Sequence, residues 1–93
     1  MPQDTIKRYE IPFNATIRLQ IPESAQILHF GCETGKVFVW MQIDPDRPNK
    51  TRGFAVLETS TKINSAWEYI GTCDVSGVIW HLYDVDVPRT QVE

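Results

Sequence analysis

Histidine, cysteine, basic charge and long apolar runs are all scarce in this sequence, and each shortage removes a class of function. There are two histidines and two cysteines. His29, Cys32, Cys73 and His81 stand singly, without the C-x-x-C or H-x-x-x-H spacing that gathers zinc ligands. No metal site is expected. No Gly-rich phosphate loop and no nucleophile elbow is present, so no cofactor and no catalytic residues are expected either. No apolar run approaches the ~20 residues of a membrane-spanning helix. The amino-terminal MPQDTIKRYE lacks the apolar stretch of a secretion signal. A net charge of −3 gives no general attraction to nucleic acid or to an anionic membrane. The expectation is a cytoplasmic protein, with no membrane association, no general nucleic-acid binding and both thiols reduced.

Helical periodicity is missing as well, and strand periodicity takes its place. The stretch 36–45, KVFVWMQIDP, puts Val37, Val39, Met41 and Ile43 on one face of a strand and Phe38, Trp40 and Gln42 on the other. Both faces are bulky, so this strand should be central, covered on both sides or covered on one by a partner. Further strands are read over 5–11, 15–21, 26–32, 52–59, 67–74 and 78–83, with turn chemistry between them. In 15–21, Ile17, Leu19 and Ile21 point inward. In 26–32, Ile27 and His29 share one face. Ser65-Ala66-Trp67-Glu68 has the form of a capping box, but no apolar helical pattern follows it. The chain of 93 residues is 42% apolar and 23% charged, which describes one globular domain. At that length roughly 60–65% of the unfolded surface is buried. The fold class is all-β: a compact antiparallel sandwich or barrel of about seven short strands with little or no helix. Its core lies over about 5–84, and 85–93 form a polar tail.

Three constellations are candidates for chemistry. Cys73 and His81 could meet across the last hairpin as a nucleophile and base. Asp44 and Asp46 are spaced like a carboxylate pair, although Asp beside Pro also serves a loop's own backbone. Arg47, Lys50 and Arg52 concentrate cations just after the central strand, near the large faces of Trp40 and Trp80. Arginine forks and aromatic faces are the usual equipment for holding a phosphate or a carboxylate-rich surface. Trp40, Arg47, Lys50, Arg52 and Trp80 are therefore the expected ligand- or partner-binding residues.

Four segments stand in a suggestive order: Trp40-Met41-Gln42-Ile43-Asp44-Pro45, Arg52-Gly53-Phe54, Glu68-Tyr69-Ile70-Gly71-Thr72 and Val78-Ile79-Trp80-His81. With Tyr9-Glu10-Ile11-Pro12 and Ile27-Leu28, the chain over roughly 6–83 resembles a family of small proteins from bacteriophages, prophages and their bacterial hosts. That family is known only as a domain of unknown function. The resemblance implies no catalytic residues. It implies a short accessory protein acting by binding in the host cytoplasm, an antagonist of a host defence system that masks a host protein or sequesters a small anionic, nucleotide-like ligand. A virion structural or assembly module is the alternative, and a small hydrolase using Cys73 and His81 is another. Two strands apolar on both faces in so small a domain point to a homo-oligomer. An Arg47→Glu/Arg52→Glu variant is expected to fold and to lose function.

Overall fold

A computed structural model describes residues 3–86 of the chain. Seven strands follow one another: β1 (Thr5–Ile11), β2 (Ala15–Pro22), β3 (Gln26–Glu33), β4 (Lys36–Ile43), β5 (Asn49–Glu58), β6 (Glu68–Val75) and β7 (Val78–Asp84). They form two antiparallel sheets, ordered β1-β4-β3 and β2-β5-β7-β6. The all-β expectation resolves to a sandwich. No helix among the described residues is long and apolar enough to cross a membrane.

Local chemistry sets the two hairpins. Thr34 and Gly35 join β3 to β4, Ser76 and Gly77 join β6 to β7, and all four have positive φ. That is the signature of the type I′ turn, whose twist matches that of the flanking strands. The remaining connections cross between the sheets or over a neighbouring strand, so contacts distant in sequence decide them.

The core lies between the sheets. Val37, Val39, Met41 and Ile43 of β4 meet Phe54 and Val56 of β5 and Leu82 of β7, with Ile11, Ile21 and Phe30 around them. β4 is central in its sheet, as its composition requires. Among the described residues its second face has no further layer over it: Phe38 and Trp40 are shielded by neighbours of their own sheet.

Three local readings change. β5 begins at Asn49, because β2 supplies a ladder partner as far as Pro22↔Asn49. Lys50 and Arg52 are therefore strand residues, and Arg52 shares the inward side of Phe54 and Val56. A β-bulge between Ile27 and His29 adds one residue to β3. The extra residue reverses the alternation, so Ile27 packs against the core while His29 stands beside Trp40 on the outer face. Finally, the strand read from Trp67 begins at Glu68, because the segment shaped like a capping box is a turn closed by Asn64, whose side chain and backbone carbonyls accept from the amides of Ala66 (2.8 Å) and Trp67 (3.0 Å).

Part of the expected tail is tied down. The Val85 amide donates to the Gly53 carbonyl at 3.0 Å. A Cβ at position 53 would lie 2.6 Å from the Val85 side chain, so glycine permits this close approach. Asp86 completes the clasp with Arg18 at 2.5 Å. The Arg18 guanidinium holds the Asp86 carboxyl below the usual carboxylate range. The clasp is thus complete above the ordinary carboxylate pKa and is lost as pH falls through the lowered value. Residues 87–93 of that tail lie outside the described residues.

Candidate functional site

The outer face of the β1-β4-β3 sheet is an aromatic surface built by register. The pairing of Arg8 with Trp40 and of Glu10 with Phe38 places β1 side chains beside the large rings of β4. The Arg8 guanidinium sits 4.2 Å from the Phe38 ring centroid. Phe38 and Trp40 lie 5.9 Å apart, and His29 lies 5.2 Å from Trp40 on the other side. Gly31 makes room for that imidazole, since a Cβ there would stand 2.6 Å from His29 Nε2. The result is a row, Arg8–Phe38–Trp40–His29, across the middle of the sheet, in which Phe38 is buried beneath its neighbours, Trp40 is half-buried, and Arg8 and His29 are exposed. Ile6 beside it is 63% exposed and Leu28 at the β3 bulge is 47% exposed. Charged and polar pairs edge the row: Arg8 with Glu33, Lys36 with Glu10 (3.9 Å) and Gln42 with Asp4 (2.6 Å). Apolar and aromatic groups in the centre with a polar rim are the anatomy of a protein-binding surface.

β3 is also the edge where the sandwich opens. Between it and β6 lies a cleft of ≈ 290 Å³ whose lining includes Leu28 and His29 on one wall and Tyr69 and Ile70 on the other. β6 carries its own bulge, between Tyr69 and Gly71. His29 belongs to both features, so the aromatic row runs on into the cleft.

The expected binding residues do not converge. Trp40 occupies the centre of the outer face. Trp80 points between the sheets, 4.7 Å from Phe13 and packed against the core. Arg47, in the β4–β5 connection, pairs with Glu23 at 3.1 Å. Lys50 is exposed opposite Ile21 at the end of the β2–β5 ladder. Arg52 is largely buried; it donates to Asp84 at 2.6 Å and to the Ala25 carbonyl at 3.0 Å, with its guanidinium over Phe54. Two of the three cations are thus already paired with carboxylates of the same chain, Arg47 at the surface and Arg52 largely buried. Asp44 serves its own loop, accepting from the amides of Asp46 and Arg47.

The pairing also separates Cys73 from His81. Cys73 lies opposite Trp80 and packs on the core, whereas His81 lies opposite Thr72 on the outer face of the second sheet. There His81 bridges two hydroxyls, Thr59 at 2.8 Å from Nε2 and Thr72 at 3.0 Å from Nδ1. A nucleophile–base pair needs hydrogen-bond reach, and these two residues use opposite sides of one sheet.

Both thiols are free. Cys32 is exposed and donates to the Asp74 carbonyl at 3.3 Å. Burial, with the neighbouring Cys32 and Asp74 adding to it, pushes the Cys73 thiol above its ordinary value. The thiolate is the reactive form, so limited iodoacetamide treatment near pH 7.5 is expected to give a singly alkylated species modified at Cys32. Peptide mapping checks this; primary modification at Cys73 contradicts the burial.

Arg8, Phe38 and His29 did not figure among the expected site residues. The alternation within 36–45 already put Phe38 beside Trp40, but which residues of β1 and β3 join them depends on cross-strand register. Among the described residues, no three of His, Cys, Asp and Glu gather as metal ligands. No curated protein and no solved structure matches the chain. The family described as Domain of unknown function (DUF7352) matches residues 2–92, and the chain belongs to that family.

Proposed function

We propose that this chain is a non-catalytic binding protein that grips a partner protein through the outer face of the β1-β4-β3 sheet. The observation that carries this reading is the Arg8–Phe38–Trp40–His29 row, which no second layer covers among the described residues, which presents Arg8, Trp40 and His29 around a buried Phe38, and which is rimmed by charge. Tryptophan and arginine are the residues on which interface energy most often concentrates. In the phage-type setting implied by the sequence resemblance, the grip masks a surface of a host protein and so antagonises a host system. Sequestration of an anionic ligand has less support, because Arg47 and Arg52 already hold carboxylates.

The sheet is three strands wide. With a spacing of about 4.8 Å and a rise of about 3.3 Å per residue, its footprint is roughly 300–350 Å². A stable interface takes about 800 Å² per partner, so the row is the anchor of a larger contact. Self-association through the same face is the second reading. The mixed signs of Arg8, Glu10, Glu33 and Lys36 favour it, because such a rim can complement its own copy across a two-fold axis.

Trp40→Ala tests the reading. The side chain is half-buried on a face away from the main core, so the variant is expected to fold. Tagged wild-type and variant proteins are incubated with bacterial lysate, and the captured proteins are identified by mass spectrometry. Specific capture by the wild type that the folded variant loses supports the proposal. Equal capture by the two sinks it. Sedimentation at high micromolar concentration decides self-association, and a monomer there removes that second reading.

A further inference from the structure

We propose that the cleft between β3 and β6 receives one cationic side chain, a lysine or an arginine, of the protein held on the Trp40 face. The inference rests on the reading above and deepens it. Size is the first argument. At ≈ 290 Å³ the cleft falls at the bottom of the range for small-molecule sites, which suits a side chain better than a nucleotide. Position is the second. His29 lines the cleft and contacts Trp40, so a partner lying along the aromatic row reaches the opening without changing course.

Charge decides the class of ligand. Asp84, with 2% of its side chain exposed, and Arg52 form the floor and offset each other at 2.6 Å. Glu68 pairs across the ladder with Asp84 and lines the same cleft. No ion pair engages the Glu68 carboxylate among the described residues. The cleft therefore holds two carboxylates and one guanidinium, an excess of negative charge. A phosphate or carboxylate entering it would meet that excess; an ammonium or guanidinium would be drawn to Glu68 with a charge-assisted hydrogen bond. The walls suit the rest of such a side chain. Leu28 and Ile70, the residues at the two bulges, offer apolar surface to an alkyl stem.

The test uses n-butylguanidinium and n-butylamine as stand-ins for the two side chains, with butyrate and inorganic phosphate as anionic controls. Each is titrated into the 15N-labelled chain while amide shifts are followed. Saturable shifts centred on Leu28, His29 and Glu68–Ile70 are expected with the cations and not with the anions. Glu68→Gln, at an exposed position, is expected to fold as the wild type does and to weaken cation binding about fivefold. The proposal is overturned if no saturable shifts occur up to about 50 mM, a ceiling chosen because lone side chains bind with millimolar constants. It is equally overturned if butyrate or phosphate binds as well, or if Glu68→Gln leaves cation binding unchanged. These outcomes do not depend on Trp40. Loss of capture in Trp40→Ala beside a cleft that ignores cations removes this inference alone, and the reverse pattern removes the masking reading while leaving a cation site.

Discussion

Val39→Asp is expected to yield a chain that does not fold. Val39 has no exposed surface; it lies on the core face of the central strand, between Tyr9 of β1 and Phe30 of β3. The cluster it belongs to is apolar, with Val37, Met41, Phe54, Val56 and Leu82 among its members. A carboxylate there must either lose its hydration without compensation or take up a proton, and each route costs several kcal/mol. A domain of this size has a total margin of about 5–10 kcal/mol, so one substitution consumes most of it. Val39→Ala, which leaves only a small cavity, should cost roughly 1–3 kcal/mol and retain a cooperative transition. Circular dichroism with urea titration of both variants checks the pair. A soluble Val39→Asp protein with a cooperative transition would mean that the core lies elsewhere.

The second large effect concerns Arg52. Its guanidinium bridges the β5 interior to Asp84 on β7 and to the Ala25 carbonyl before β3, and so ties the two sheets together at one end. Removing one partner of a buried ion pair strands the other, at a cost of about 3–5 kcal/mol. Arg52→Ala is expected to fall in that range. Arg52→Glu is expected to be worse, because a second carboxylate would then face Asp84 and a carbonyl oxygen. The Arg47→Glu/Arg52→Glu variant, which the sequence presents as a folded probe of function, is therefore expected to unfold. Arg47→Glu alone removes only an exposed pair with Glu23, whose two side chains are 50% and 40% exposed, and should cost under about 1 kcal/mol. A double change of Arg52→Met with Asp84→Asn should lose less than the sum of the single changes, since neither charge is stranded. Chemical denaturation of the set measures this. Near-wild-type stability of Arg52→Ala would show that the pair carries no structural load.

The alternative to a grip on a protein, a captured anion, turns on the same residue. From the sequence, Arg47, Lys50 and Arg52 form a basic loop beside two tryptophans. In the fold, the strand begins three residues earlier than the turn chemistry implies, and Arg52 inherits the inward direction of Phe54 and Val56. Trp80 turns inward as well, on to Phe13. Of that constellation, Trp40 remains at the proposed surface.

The sequence by itself determined the strand inventory, the turn that closes the last hairpin, and the faces of β2 and β4. The physical reason is that side-chain alternation and left-handed turn residues act over two to eight positions, within reach of the local pattern. Only the tertiary structure decided what crosses between strands. The bulges at Leu28 and Ile70, the extension of β5 along β2, the placing of Arg8 against Phe38 and the union of Arg52 with Asp84 all depend on register between segments far apart in the chain. One residue of register turns a side chain from core to solvent. The composition of a binding surface on this protein was therefore set by pairing geometry, which no single strand encodes alone.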